Sequence, residues 1–137
     1  MGEYKMNFEN LDTTLLDLLG IEIKSIEKEK VIMTMPVDER TRQPHGYLHG
    51  GASVLLAETV ASIGGSLHVD LAKQAVFGME INANHVRSKR EGVVTATGTP
   101  IHIGRTSMVW NIEIRDEEDR LICISRCTLG VTKRERH

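Results

Sequence analysis

Cysteine is scarce in this sequence. Only Cys123 and Cys127 are present among 137 residues, and on one β-strand they would share a face about 13 Å apart, too far for a disulfide between them. The cysteine, histidine and acidic residues also lack the spacing of a zinc site. We therefore predict two small core residues, no disulfide framework and no bound metal.

An excess of charge of one sign is also missing. The chain carries 17 Lys and Arg against 19 Asp and Glu, a formal net charge of -2. This balance argues against a general binder of nucleic acid or of membrane surfaces. A glycine-rich phosphate loop of the Walker or dinucleotide type is absent as well. We expect neither ATP nor NAD, and no other cofactor.

No stretch of the sequence has the length and apolar character of a transmembrane span. The longest apolar stretch, residues 50–67, contains Glu58 and several glycines and serines. The first twenty residues lack the basic and apolar segments of a secretory signal, and Met6 stands where a myristoylation pattern requires Ser or Thr. We expect a cytoplasmic protein with a single domain over residues 1–137.

The apolar periodicity predicts an α+β fold. It indicates a short helix over 10–19, a long helix over 51–67, and strands over 21–26, 31–36, 76–87, 93–103, 107–115 and 121–132. Short turns between the last four strands predict an antiparallel meander. The long helix is apolar on nearly every face, so the sheet should curl around it. Its remaining side needs a cover, which indicates at least a homodimer.

Two segments carry a resemblance to a known family. They read "MPVDERTRQPHGYLHGGASVLLAETVASIGG" and "GMEINANHVRSKREG", and they resemble the hotdog-fold acyl-CoA thioesterases. Within that family the likeness is to the bacterial enzymes acting on 1,4-dihydroxy-2-naphthoyl-CoA in menaquinone synthesis and to the proofreading thioesterase of enterobactin synthesis. It runs from about Leu16 to Val131. It implies a curved antiparallel sheet around one central helix, hydrolysis of aromatic acyl-CoA, and a homotetramer built as a dimer of dimers.

The resemblance also implies roles for five residues. The backbone N–H of Gly50, at the start of the long helix, would hold the thioester oxygen with help from Gln43. His49 would position the thioester and its departing sulfur. Glu58 would attack the carbonyl carbon or activate water, and Ser62, four residues further along the same helix face, would orient the carboxylate or the water.

Basic residues near the end of the third predicted strand, 76–87, suggest where the nucleotide portion of CoA binds. His85, Arg87 and Lys89 alternate onto one face with Arg90 beside them, which suits phosphate contacts. The resemblance adds Arg105 and Ser107 from the loop before "SMVW". The alternative is a solvated charged rim. Candidate contacts to the acyl group, chosen for their proximity to Glu58, are Val60, Ile63 and Met79.

Distance along the helix predicts a site shared by two chains. Gly50 and Glu58 are eight residues apart, so about 12 Å of helical rise separates them. A nucleophile and an oxyanion donor must both lie about 3 Å from the reacting centre. Two long helices meeting antiparallel would bring Glu58 of one chain beside Gly50 of the other. A substrate cleft there would also explain a carboxylate in an apolar helix.

Two other functional classes stay open. A hotdog dehydratase or hydratase would also place a histidine and an acid near the helix, but it would remove a proton from carbon and release no thiol. A non-catalytic acyl-CoA-binding protein would keep the phosphate contacts without needing Glu58. The combination of Glu58 and Gln43 favours hydrolysis. Among substrates, benzoyl-type and phenylacetyl-CoA remain alternatives to naphthoyl-CoA.

Overall fold

The computed structural model describes residues 14–134. In chain order its elements are α1 (Leu15–Leu18), β1 (Glu22–Glu27), β2 (Lys30–Val37), α2 (Gly50–Ser66), β3 (Gln74–His85), β4 (Gly92–Ile103), β5 (Ser107–Arg115) and β6 (Leu121–Lys133). From β1 onward every element starts and ends within two residues of its predicted bounds. The first helix is shorter than predicted, and residues 10–13 of that prediction lie outside the described residues.

The six strands form one antiparallel sheet in the order β1-β2-β4-β5-β6-β3. Strands β4, β5 and β6 form the predicted meander. The predicted pairing of β3 with β4 is wrong, because β3 lies at the sheet edge beside β6.

The linker between β3 and β4 explains this difference. Its first two N–H groups, from Val86 and Arg87, donate to the Ile122 carbonyl of β6 at 2.9 and 3.4 Å, so the chain stays on β6 after β3 ends. The whole linker to β4, residues 86–91, has six residues. Six extended residues span about 20 Å, whereas three strand spacings need about 14 Å. A turn of this length can therefore cross two strands as easily as it can form a hairpin.

Helix α2 lies on the concave side of the sheet and packs against β2, β3, β4, β5 and β6. Contact with all five strands requires the sheet to curve around the helix. On β5 the alternate side chains Met108, Trp110, Ile112 and Ile114 are at most 1% exposed and face the helix. Gly64 of α2 lies against the Trp110 ring, which occupies the space that a larger helix residue would need.

Both cysteines lie on β6 and are buried and free, as predicted. Burial raises the pKa of the Cys123 thiol. Burial, and then the nearby carboxylates of Glu58 and Glu80, raises the pKa of the Cys127 thiol to about 11. Both thiols therefore stay protonated at neutral pH and behave as small apolar core groups.

One side of α2 is left open by the single chain. Gly51 and Glu58 are exposed there, and Val54, Leu55 and Ser62 are only half-buried. The helix is thus covered by the sheet on one side only, as the periodicity predicted for one copy. Within residues 14–134 no helix has the length and apolar character needed to cross a membrane.

Candidate active site

His49 caps the N-terminus of α2. Its backbone is extended, with φ -70° and ψ 130°, and its Nδ1 accepts a hydrogen bond of 2.7 Å from the Gly51 N–H. The His49 N–H donates to the carbonyl of buried Thr41 at 2.8 Å. Because Nδ1 accepts, the proton of the neutral ring is on Nε2. The exposed imidazole can therefore offer Nε2–H to a group bound outside the helix start.

Gly50 is the first residue of α2. Its N–H belongs to the first helical turn, where backbone donors have no partner within the helix and the helix dipole is positive. A Cβ on Gly50 would lie 3.0 Å from His85 Nε2. The missing side chain thus lets His85 of β3 approach the helix start, and it leaves the Gly50 N–H accessible to an anion or a polarised carbonyl oxygen.

Gln43 lies in a tight loop before α2. Its N–H donates to the Tyr47 carbonyl at 2.7 Å, and its carbonyl accepts from the Gly46 N–H at 2.9 Å. Gly46 has φ +91°, a conformation that favours glycine. The Gln43 side-chain Oε1 accepts from the His45 N–H. Since the amide oxygen is occupied in the loop, the amide NH₂ remains as the donor group that Gln43 can present to a ligand.

Gln43 and Gly50 line a cavity of about 430 Å³, whereas His49 is not among its lining residues. This volume is within the range of small-molecule sites. Of the predicted site residues, the cavity brings together Gln43, Gly50, His85 and Arg87. Sequence reasoning missed the other lining residues, which are Tyr47, Leu48, Ser53, Val86, Ser88 and Ile122.

One of the missed residues had a sequence signal. Ser53 lies three residues after Gly50 and so shares its face of α2. Tyr47 and Ile122 had none, because their place at the cavity depends on the loop before α2 and on the path of the linker after β3.

Glu58 and Ser62 do not line this cavity. Glu58 lies on the open side of α2, two turns beyond Gly50, and it is exposed in the single chain. Its carboxylate rests against the β3 backbone, where a Cβ on Gly78 would lie 2.7 Å from Oε2. Within residues 14–134 the Glu58 carboxylate takes part in none of the hydrogen bonds or ion pairs. Half-buried Ser62 follows one helical turn later.

The basic residues after β3 differ in their surroundings. Arg87 is exposed and lines the cavity. Lys89 forms a 2.5 Å ion pair with Glu117, and its side chain is 15% exposed. The hydrogen bond from Lys89, above all, lowers the pKa of the Glu117 carboxyl. Lys89 thus ties the linker to the β5–β6 turn, and this argues against Lys89 as a free phosphate ligand.

Arg90 is also engaged within the chain. Its guanidinium lies 4.4 Å from the centroid of the Tyr47 ring and donates to the Tyr47 hydroxyl at 2.8 Å. The two contacts hold the ring that forms one wall of the cavity. Arg90 therefore supports the cavity through Tyr47 and is not a free cation at its mouth.

Arg105 and Ser107 lie at the other end of the sheet from the cavity. Ser107 is opposite Gly130, which is opposite Phe77 on β3, and His85 is eight residues further along that strand. Eight residues of strand span about 26 Å. One chain therefore does not bring the two predicted halves of the CoA site together.

The three predicted acyl contacts are also divided. Val60 is fully buried, against Gly98 of β4, and Ile63 is 7% exposed. Burial places both in the core between helix and sheet, which argues against them as acyl contacts. They are close to Glu58 in sequence but lie on a different face of α2 from Glu58. Met79 is 62% exposed on β3. Of the three, Met79 alone has a large accessible surface.

No cluster of three or more histidine, cysteine or acidic side chains that could hold a metal ion occurs in the part of the chain that the structure describes.

Comparison with known proteins identifies the family. The Thioesterase superfamily matches residues 45–123. A 1,4-dihydroxy-2-naphthoyl-CoA hydrolase of Listeria monocytogenes is 52% identical over 89% of this chain and 98% of its own length, and one of Escherichia coli is 50% identical over 85% of each chain. The crystal structure of a thioesterase from Haemophilus influenzae superposes with a TM-score of 0.88 at 47% identity, covering 98% of this chain and 96% of that one. The predicted hotdog fold is confirmed, and the chain belongs to the thioesterase superfamily as a thioester hydrolase.

Proposed function

We propose that the protein hydrolyses aromatic acyl-CoA thioesters, with 1,4-dihydroxy-2-naphthoyl-CoA as the leading substrate, at a site shared between two copies of the chain. The observation that carries this proposal is the position of the two halves of the site along β3. Gly50 lies against His85 near one end of the strand, and Glu58 lies against Gly78 nearer its middle. Each half is incomplete without the other.

The edge position of β3 offers a way to join the halves. β3 is the last strand of the sheet, and Phe77 and Met79 on it are 48% and 62% exposed. An uncovered edge strand with exposed apolar side chains favours pairing with another strand. A second copy that adds its own β3 antiparallel would continue the sheet and would also cover the open side of α2.

The register of such a pairing follows from the two contacts. Gly78 and His85 are seven residues apart, and their midpoint falls between Ile81 and Asn82. A two-fold axis near this midpoint puts Gly78 of one copy beside His85 of the other. Glu58 of one copy then faces Gly50 of the other, and the Arg105 end of one sheet approaches the Arg87 end of its neighbour.

The proposed chemistry uses groups from both copies. The Gly50 N–H and the Gln43 amide NH₂ donate to the thioester oxygen, which gains negative charge as the tetrahedral intermediate forms. Glu58 of the other copy either attacks the carbonyl carbon, forming an anhydride that water then cleaves, or removes a proton from an attacking water. In both routes the C–S bond breaks, and CoA leaves as a thiolate that takes up a proton. His49 Nε2–H is placed at the helix start to meet that sulfur.

The nucleotide portion of CoA is assigned to the rim of the cavity. Exposed Arg87 can form charge-assisted hydrogen bonds with a phosphate, and Arg105 and Ser107 of the second copy are placed to join it. The aromatic preference rests on the two naphthoyl-CoA hydrolases, which are 52% and 50% identical to this chain. A dimer of dimers is the proposed assembly, and the cytoplasm the proposed location.

Thiol release tests the activity. CoA thiol is followed with a disulfide dye for a series of aryl-CoA and fatty acyl-CoA thioesters, with wild type and Glu58→Ala compared. Wild type should turn over aryl-CoA best, and Glu58→Ala should lose about 10³-fold or more in kcat with KM little changed. Binding of the esters without thiol release would contradict hydrolysis and would indicate a non-catalytic acyl-CoA-binding protein. Formation or loss of a double bond without thiol release would indicate a dehydratase or hydratase.

Mixed dimers test the sharing of the site. Glu58→Ala and Gln43→Ala chains are unfolded together and refolded, so that mixed dimers have one site with both residues intact. About a quarter of wild-type activity should return, since half of random pairs are mixed and each has one complete site of two. The control mixture, Glu58→Ala with Ser62→Ala, leaves no site complete because both residues belong to the same half. Equal activity of the two mixtures would contradict a shared site.

A further inference from the structure

Gly78 lies where the edge strand β3 is irregular. The pairing of β3 with β6 shifts between Gly78, opposite Leu129, and Glu80, opposite Thr128. Met79 is the extra residue, so the strand has a β-bulge at this point. Because Leu129 is fully buried in the core, Gly78 opposite it also faces α2. The bulge thus begins at the residue that meets the helix.

The neighbour of Gly78 is the carboxylate of Glu58. A Cβ on Gly78 would lie 2.7 Å from Glu58 Oε2 and 3.3 Å from its Cδ. The first distance is shorter than van der Waals contact, so no other amino acid fits here with Glu58 in its present position. The carboxylate takes part in none of the hydrogen bonds or ion pairs among residues 14–134. Its position is therefore set by packing on the bare backbone of β3.

We propose that Gly78 is a positioning residue for Glu58. The missing side chain and the bulge that follows it let the carboxylate lie against the edge strand, at the point from which it reaches the thioester bound by the other copy. This inference rests on the proposed function, because it assigns Gly78 a role only through the action of Glu58 on the substrate.

Gly98 of β4 provides a comparison within the same sheet. A Cβ there would collide with Cγ1 of Val60, which is fully buried, and would also meet Trp110 and Ile112. A side chain at Gly98 must therefore displace the core. At Gly78 the obstacle is the end of an exposed, flexible side chain, which can rotate away. Gly78 also has no positive φ, so alanine can adopt its backbone conformation.

The inference predicts that stability and activity separate at these two glycines. Gly78→Ala should leave the melting temperature within about 2 °C of wild type and lower kcat about 10²-fold with KM unchanged, since a misplacement of about 1 Å costs that much in rate. Gly98→Ala should lower the melting temperature and leave kcat per folded molecule within about threefold of wild type. Thermal unfolding and thiol release on the same preparations measure both quantities.

A second comparison tests whether Gly78 acts through Glu58. Aspartate is one methylene shorter, so Glu58→Asp makes room for a Cβ at position 78. In that background Gly78→Ala should change kcat less than about threefold. An equal loss in both backgrounds would overturn the inference, as would a Gly78→Ala enzyme with wild-type kcat. If Glu58→Asp is too slow to compare, the crystal structure of Gly78→Ala decides. A carboxylate that leaves the β3 backbone supports the proposal, and one that stays overturns it.

The outcomes separate this inference from the proposed function. If neither wild type nor Glu58→Ala releases thiol, the proposed function is contradicted. The crystal structure of Gly78→Ala then still shows whether Gly78 sets the position of Glu58. If wild type and Gly78→Ala are both fully active and Glu58→Ala is inactive, only the inference about Gly78 is contradicted.

Discussion

Strands β5 and β3 belong to one sheet but differ in how completely their neighbours cover them. β5 has a neighbour on each side, and its helix-facing side chains are at most 1% exposed. β3 has one neighbour, a bulge, and side chains as exposed as Met79 at 62%. The strand that packs completely gives the domain its stability, whereas the strand that packs incompletely touches both halves of the proposed site. Changes on β5 should therefore act on folding, and changes on β3 should act on assembly and catalysis.

The largest expected effect on stability comes from β5. Trp110 is fully buried and lies against Gly64 of α2. Trp110→Ala should lower the free energy of unfolding by about 3–5 kcal/mol, because it removes a large core side chain and leaves a cavity. Urea unfolding followed by far-UV circular dichroism measures this change. The matched aromatic on β3, Phe77→Ala, should cost much less in a single chain, and equal losses would contradict the distinction between the two strands.

On β3 the expected effect is on assembly. A two-fold axis perpendicular to the sheet passes through a residue that is opposite itself, because opposed side chains of an antiparallel pair lie on one face. Asn82 is such a position next to the midpoint of Gly78 and His85, and it leaves Gly78 of one copy within one residue of His85 of the other. The two Asn82 residues then face each other, within the 4.4–6.8 Å between Cα atoms that a disulfide requires. Asn82→Cys should form a covalent dimer on mild oxidation, seen on a non-reducing gel, while native Cys123 and Cys127 stay buried and unreacted.

The control for this cross-link lies on the opposite edge of the sheet. Lys24 is exposed on β1, so Lys24→Cys offers a cysteine of similar exposure on the other free edge. It should remain monomeric on the same gel. A cross-link through Lys24→Cys, with none through Asn82→Cys, would show that the dimer interface lies on β1 and not on β3.

The comparison also shows how far the sequence alone leads. The alternation on β5 predicted both its bounds and its buried face, because its alternate apolar side chains are all buried on the one side of the sheet that faces α2. The predicted partner of β3 was wrong, because a linker of six residues fits both a hairpin and a crossing. Val60 and Ile63 were placed by their distance from Glu58 in sequence, whereas burial depends on which side of α2 meets the sheet.

In the candidate site, too, some contacts follow from local sequence and others depend on residues far apart in the chain. Gln43, Gly50, His85 and Arg87 share the cavity, because the first two lie near one helix start and the last two near one strand end. The contact between Glu58 and Gly78 joins a helix to a strand, so its prediction would need the register between them. Lys89 and Arg90 form part of a basic sequence cluster, but each is engaged by a partner far away in the chain, Lys89 by Glu117 and Arg90 by Tyr47.

A smaller effect is expected for Arg87, at the end of β3. Arg87→Ala should raise KM for an aryl-CoA about tenfold with kcat unchanged, the value expected when one charge-assisted hydrogen bond to a phosphate is lost. The corresponding pantetheine thioester lacks the nucleotide, so its KM should not change. Steady-state kinetics with the two substrates check this. A KM that rises equally for both would place Arg87 at the acyl or pantetheine portion instead.

The smallest effect concerns the turn after β5 and its dependence on pH. Burial alone would raise the pKa of Asp116, but hydrogen bonds from the Arg120 backbone and guanidinium and from the Glu118 N–H outweigh it and lower the pKa. A lowered pKa in the folded state means that ionised Asp116 stabilises the fold above its ordinary pKa of about 4. This contribution is lost as the pH falls through the folded-state value. Melting temperatures of wild type and Asp116→Asn should therefore differ at pH 7 and converge below about pH 4, whereas a difference that is the same at both pH values would show that charge at Asp116 contributes nothing.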